Sequence, residues 1–475
     1  MSDIEKKTSV SHELTDQDTD EPAHVVIDEK KMFRKVDYRV LIIAMFTYCL
    51  QFMDKLGLSN ASVFGIKKDL HLHGQDYSWS SSVFFFGYML GNFVVTRIDQ
   101  KVPLGKLIAG AIFFWGITLA ASAGCQNYSG LIAGRFFLGL LESVVSPTFV
   151  LMTSMWYKRS QQPVRTGIWF AGNDIGGIIG SFLAYGLGHI TGDIQPWRYI
   201  FMVYGIIAFL WSFVVFFFLP DSPQKAKFLT ADEKEYYRKE MVQSEIKHEW
   251  NWQQAKECTY DLNLWLLMFA TFLCICPNSG MISYGLIILN SFDYSSIEVT
   301  LLSLPGSVLA WIAITLTGLI ASKYKNQRCN MMVLVTLFSI IGGCLVYKGA
   351  TNGVKLVGYY FLQVQPAVFP HILSMAASNF RGNTRRSIAS SAVFIVYCVA
   401  NIAGPQLFRH EDAPKYTNAF LSWIICYCLT VLFAVLIKLS FKYQNKRQAA
   451  KQQIKPEDSN ADLVEYVDPT FRYMY

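Results

Sequence analysis

Charge is what this chain has little of. Asp, Glu, Lys and Arg make up 16% of its 475 residues, against about 25% in an ordinary soluble protein. Apolar residues make up 52%, aromatics 15%, and the mean hydropathy is +0.27. Such a chain cannot clothe its own surface in polar groups, so much of it must face lipid. That excludes most soluble enzymes, nucleic-acid binders and disordered scaffolds. The net charge of +7 is accordingly read for its distribution about a bilayer, and no nucleic-acid partner is expected. Ten cysteines are scattered, mostly inside apolar runs such as those around Cys49, Cys274, Cys398 and Cys426. They suggest no disulfide framework. Cys274/Cys276 and Cys426/Cys428 are two apart on expected helices and turn to different faces, which favours structural cysteine over a metal site. No nucleophile–base constellation stands out, so an enzyme is not expected.

A helix needs about 20 apolar residues to span the hydrocarbon core. By that measure the chain divides into twelve spans: 40–66, 79–98, 104–124, 130–156, 164–188 and 199–219, then 262–289, 299–320, 331–347, 354–377, 388–408 and 417–439. Residues 1–39 are too charged for a signal peptide and read as a disordered tail, with the first span as an uncleaved anchor. The organisation expected is an N-terminal six-helix half at 40–219, a charged central loop at 220–260, a C-terminal half at 261–440 and a C-tail at 441–475. Basic residues gather in alternate loops: Arg97, Lys101 and Lys106; Lys158, Arg159 and Arg165; Lys225 to Lys239; Lys323, Lys325 and Arg328; Arg381, Arg385 and Arg386. The positive-inside rule then puts both termini in the cytoplasm. Two halves of about equal length suggest internal duplication, and transporters built this way bind substrate near the midplane between the halves.

An ionisable residue at mid-bilayer costs about 2.5–3.5 kcal/mol on insertion scales. Asp54 and Lys55 lie in the first span between Gln51 and Asn60, Arg135 and Glu142 in the fourth, Asn173 and Asp174 in the fifth, and His371 in the tenth. Arg135 and Glu142 are seven positions apart, two helical turns, and share one face. A guanidinium suits an organic carboxylate through its planar fork. A carboxyl beside it can hold or release a proton, so proton binding at Asp54 or Glu142 can be coupled to anion binding at Arg135. The competing reading is a structural ion pair. Lys55 is turned about 100° from Asp54, and both readings stay open for it. Gly172, Gly176 and Gly180 recur every four residues, the pattern of close helix packing. His371 reads equally as proton relay or hydrogen-bonded interior histidine. Tyr48, Tyr88, Tyr284 and Tyr397 stack on substrate or anchor packing. The sequon at Asn127 lies too near the bilayer for a firm glycosylation assignment, that at Asn60 should be buried, and His410-Glu411-Asp412 reads as solvated.

Several motifs stand in order: Gln51-Phe52-Met53-Asp54-Lys55, Tyr77-Ser78-Trp79, Phe86-Gly87-Tyr88, and Arg135-Phe136-Phe137-Leu138-Gly139 with Glu142 and Pro147. Pro196-Trp197-Arg198-Tyr199, Leu219-Pro220-Asp221-Ser222-Pro223, Asn379-Phe380-Arg381-Gly382 and Asn401-Ile402-Ala403-Gly404-Pro405 follow. From about Asp37 to Ser440 the chain resembles the major facilitator superfamily, in particular the anion:cation symporters and most closely the fungal allantoate permease family. The resemblance implies an all-α, twelve-helix bundle of two pseudo-symmetric halves. It further implies a monomer of the plasma membrane, or of an endomembrane, that imports a small organic anion with protons by alternating access. The anion would be a nitrogen- or sulfur-containing carboxylate such as allantoate, ureidosuccinate, a dipeptide or a vitamin-like acid. No cofactor is implied beyond the proton gradient. By the same resemblance Arg135 would bind the substrate carboxylate and Asp54 and Glu142 would be proton-coupling acids, while Lys55, Gln51, Asn173, Tyr88 and Asn401 are further candidate substrate contacts. His371 and Asp174 are possible relays, and Arg97, Asp99, Lys323 and Arg328 belong to the gating loops. Lys55 stands where many relatives carry arginine, and the first gating motif survives only as fragments around Gly91, Arg97 and Asp99. Proton-antiport efflux and a non-transporting nutrient sensor of the same fold are the alternatives.

Overall fold

The computed structural model describes residues 28–98, 101–158, 161–190, 192–241, 251–380, 383–413, 416–452 and 473–475. Long apolar runs with few breakers become helices, and twelve helical spans follow one another. In the first half they are Glu29–Val63, Asp76–Ile98, Leu104–Ser122, Tyr128–Trp156, the broken pair Gln162–Phe170 and Gly172–Gly188, and Pro196–Phe218. In the second half they are Leu262–Asn290, Ser296–Lys323, Arg328–Lys348, the broken pair Asn352–Leu362 and Val368–Asn379, Asn383–Gln406, and Thr417–Gln452. Among the described residues there is no strand. Among the described residues nine spans are long and apolar enough to cross a membrane by length and composition. The second, fifth and tenth fall short because polar residues or breaks interrupt them: Ser78, Ser80, Ser81 and Ser82 in the second, a turn at Ala171 in the fifth, and a tight turn at Gln365–Ala367 around Pro366 in the tenth. Phe114, Phe182, Phe217, Leu319 and Leu439 are all more than half exposed. Apolar surface spread over so many helices belongs against lipid.

Both halves pack by one pattern. The first span lies against the fifth, the second against the fourth and the third against the sixth; the seventh, eighth and ninth repeat this with the eleventh, tenth and twelfth. Between halves the first span meets the seventh, the second the eleventh and the fifth the eighth, as a pseudo-two-fold axis requires. Small residues make the closest crossings. A Cβ on Gly172 or Gly176 would collide with the backbone carbonyls of Met45 and Cys49, so the fifth span touches the first there, as the four-residue spacing predicts.

Both tails depart from expectation. The segment read as disordered up to residue 39 is helical from Glu29, capped by Asp28, whose side chain accepts from the Lys31 amide at 3.1 Å. The last span runs on to Gln452, and residues 473–475 return to its base. There Asn445 and Asn379 each make a two-way pair of side-chain–backbone bonds, with Tyr473 and Met474 respectively, all between 2.8 and 2.9 Å. The central loop is also ordered where described. Thr230 and Glu233 form a capping box on Ala231–Tyr236, and Lys35 of the first helix reaches Glu233 at 2.7 Å.

The hydrogen bonds joining the two halves cluster at the face away from the chain termini. Tyr77 Oη donates to the Ser283 carbonyl at 2.7 Å, and Ser78 meets Tyr284 and Ser81 meets Ser283, both at 2.6 Å. Ser82 donates to the Ile402 carbonyl at 2.7 Å and Ser181 meets Ser303 at 3.3 Å. The bundle is therefore tied shut at that end.

Candidate functional site

Four charged side chains converge on the inner part of the first half. Asp54 and Lys55 come from the middle of the first span; Arg135 and Glu142 come from the fourth, two turns apart as their spacing predicts. Asp54, Arg135 and Glu142 are 1%, 4% and 0% exposed, and Lys55 is half-buried. Each of the two cations lies within electrostatic reach of both acids, and the two carboxyls neighbour one another. Among the described residues, none of the four closes an ion pair with another. Asp54 Oδ1, Arg135 Nη2 and both oxygens of Glu142 are buried with no hydrogen-bond partner. A buried charge left without partners costs several kcal/mol. This arrangement is therefore not a device for stability, which disfavours the structural ion pair.

Local structure explains how the groups are held. Pro147 has no N–H to give the carbonyl one turn back, and the fourth span is interrupted between Glu142 and Val145. Gln51 takes up the loosened end by donating to the Glu142 carbonyl at 3.1 Å. Trp115 of the third span donates its indole N–H to Asp54 Oδ2 at 2.9 Å. The Arg135 guanidinium lies over the Phe201 ring of the sixth span, 5.4 Å from its centroid. The guanidinium carbon thus sits against a ring of the first half. The cation on the seam between halves is Lys55. Its ammonium lies 5.9 Å over Phe84 and 5.4 Å over Tyr88 and within reach of Cys398 of the eleventh span. Tyr88 in turn packs on Phe394 at 5.9 Å, and Phe85 meets Tyr397 at 6.3 Å. Both halves therefore contribute rings to one aromatic wall.

The remaining candidates divide. Tyr88 is in the wall, its hydroxyl 3.1 Å from Ser146, which Tyr48 also holds at 2.8 Å. Asn173 is half-buried, one turn from Gly177, which faces Phe52 and Leu56 of the first span and Ser307 of the eighth. Asn401 is 1% exposed; its amide donates to the Tyr397 carbonyl at 2.8 Å and its own carbonyl accepts from Ser279. It acts as a tie between the seventh and eleventh spans. Asp174 and His371 are not brought to the four charges. His371 is buried in the second half within reach of Arg328, which donates to Ser378 at 2.7 Å. Arg97 and Lys323 are exposed on the termini side, and Asp99 lies outside the described residues. Sequence reasoning missed Trp115, which carried no signal beyond being aromatic, and the placing of Phe201, two residues past Tyr199 in the run that opens the sixth span. It missed the sealing role of Tyr77 and Ser78 too, although both stood in a motif. Among the described residues no cluster suited to a metal is present.

A family model described as the Major Facilitator Superfamily matches residues 43–405. The chain belongs to that superfamily. Members of the superfamily that it resembles include the allantoate permease of Saccharomyces cerevisiae, 33% identical over 94% of this chain and 86% of that one. An uncharacterized transporter of Schizosaccharomyces pombe is 33% identical over 94% and 89%, and the high affinity cysteine transporter of Saccharomyces cerevisiae 28% over 93% and 83%. Among solved structures, a bacterial homologue of the lysosomal transporter Spinster, inward-facing and occupied, superposes with a TM-score of 0.64 at 14% identity, over 89% of this chain and 99% of that one. The xylose transporter of E. coli, partially occluded and inward-open, gives 0.64 at 13% over 84% and 97%. The major facilitator chain is thus a multi-pass membrane transporter and not an enzyme.

Proposed function

We propose that this transporter imports a small organic anion together with protons, and that the four-charge cluster couples the two. Two acids and two bases sum to zero when all are ionised. An anion entering beside Lys55 makes the sum negative, and one proton on a carboxyl restores it. In a medium of low dielectric that balance is strongly favoured. Glu142 is the acid assigned to the proton, because neither of its oxygens accepts a hydrogen bond whereas Asp54 is held by Trp115. Lys55 receives the substrate carboxylate against the aromatic wall, and Arg135 acts from behind as the fixed counter-charge. The single observation that carries this reading is the burial of Asp54, Arg135 and Glu142 beside a half-buried Lys55, with no ion pair closed among the four.

The driving force suffices: each proton brings about 1.4 kcal/mol per pH unit and about 2.3 kcal/mol per 100 mV. No cofactor enters. The printed names of the relatives, allantoate permease and cysteine transporter, favour a nitrogen- or sulfur-containing carboxylate. The basic loops favour cytoplasmic termini. With that orientation the sealed face is the external one.

Uptake of radiolabelled allantoate into proteoliposomes with an imposed proton gradient tests the reading. Glu142→Gln is expected to lose concentrative uptake while keeping exchange of labelled for unlabelled anion, and Lys55→Gln to lose both. Concentrative uptake that survives Glu142→Gln overturns the assignment.

A further inference from the structure

A cavity of about 450 Å³ opens at the sealed face, between the segment after the first span and the segment after the eleventh. Lys67, Lys68, His71, His73 and His410 line it, with Tyr77, Tyr284, Phe408 and Tyr416 as its aromatic floor, and among the described residues no carboxylate is in the lining. Of the acids nearest in sequence, Glu411 is exposed beside His410 and Asp412 accepts from the Asn418 amide at 2.8 and 2.9 Å. Asp69 accepts from Trp197 and Arg198, both at 2.9 Å, and Asp76 accepts from the His73 amide at 2.9 Å. Lys67 Nζ instead lies over rings, 4.3 Å from the centroid of Tyr77 and 5.4 Å from that of Tyr284. Those two tyrosines make the bonds that tie the halves, through the Ser283 carbonyl and Ser78. The ammonium is therefore seated on the seal itself, at the mouth of a basic, aromatic-floored chamber.

We propose that this chamber is an external docking site for a small carboxylate, captured by Lys67 while the central site is still closed to that face. A flat anion placed there pairs with the ammonium and stacks on the tyrosines. Drawing Lys67 off the two rings removes one of the contacts that hold the closed arrangement together, so capture and opening are linked through one side chain. The site is separate from the four charges below it. It deepens the transport reading and rests on it only for the direction of substrate entry.

Two measurements test this. Burial brings Lys67 down to about 8, so near neutral pH part of it is uncharged and nucleophilic. Full-length protein in nanodiscs is treated with sulfosuccinimidyl acetate, and acetylation of Lys67 is followed by mass spectrometry. Nicotinate is expected to slow the reaction about threefold, the size of a half-exposed ion pair, while nicotinamide, which has the same ring without the charge, does not. The same protection is expected in Arg135→Ala. Nicotinate no more protective than nicotinamide overturns the proposal. In the second measurement, Lys67→Gln is expected to raise the half-saturating concentration of allantoate uptake about threefold with the maximal rate kept, and Lys67→Arg to restore it. A fall in maximal rate with half-saturation unchanged makes Lys67 a structural part of the seal and overturns docking. Failure of the central reading shows separately, as flux that survives Arg135→Ala, and leaves the Lys67 result standing.

Discussion

Asp54 and Trp115 show how one hydrogen bond sets the character of the site. The indole donates to an oxygen of a side chain only 1% exposed, so deleting the donor leaves a buried acceptor bare, at a cost of about 1–3 kcal/mol. Trp115→Phe removes the N–H together with the five-membered part of the indole, a loss of size that Trp211→Phe shares. It is expected to lower the thermal unfolding midpoint in detergent, whereas Trp211→Phe, whose indole bonds the Thr47 hydroxyl rather than a carboxylate, should cost less. Charge balance gives a second prediction at this scale. Lys55→Gln leaves two acids facing one base, and Glu142→Gln leaves two bases facing one acid. The double variant is neutral again and should be more stable than the sum of the single losses implies, with a coupling of about 1–3 kcal/mol by the same assay. Additive losses would show the four charges to be independent.

At the scale of elements, the fifth span stands against the first because Gly172 and Gly176 leave no side chain between them and the carbonyls of Met45 and Cys49. Gly176→Ala forces those backbones apart. It is expected to reduce the yield of folded, monodisperse protein, and Gly167→Ala, with open space at its Cβ, to leave it unchanged. The central loop is held by a different device. Burial alone would raise the Glu233 carboxyl, but Lys35 and the Thr230 amide outweigh it and hold the group below its ordinary value of 4.5. A depressed acid contributes its stability above the unfolded value and loses it as pH falls through the lower folded one. Protection factors for hydrogen exchange over residues 231–236, taken against the intrinsic rate at each pH, should therefore be high near neutrality and fall once the pH passes below about 4.5. Lys35→Met should move that onset upward.

For the whole molecule the seal between the halves is the feature that alternating access must break. Ser81 and Ser283 approach within 2.6 Å from opposite halves. Replacing both with cysteine should allow an oxidant to lock that face. The expected result is flux that falls to background on oxidation and returns with reductant, in the double variant and in neither single one. Unchanged flux in the cross-linked protein would show that this face need not open.

What the residues alone determined was the number and order of the spans, the shared face of Arg135 and Glu142, and the contact face of the fifth helix. Each follows from a local period: run length against the thickness of the bilayer, seven residues against two turns, and glycine every fourth position. Breaks were less legible, since the turn at Ala171 contains no proline and the helical start at Glu29 lies in a charged stretch. Tertiary structure decided which cation meets the seam. Arg135 has one helical face in common with Glu142, yet whether that face turns to Phe201 or to the second half depends on how six helices pack, and no spacing along one helix encodes it. The same holds for Lys67, which in the sequence is one of two lysines sharing a loop with Asp69 and Asp76, until Tyr284, over 200 positions away, closes beneath it. Local periodicity is written in neighbouring residues, whereas the partner of a charge is set by contacts between distant ones.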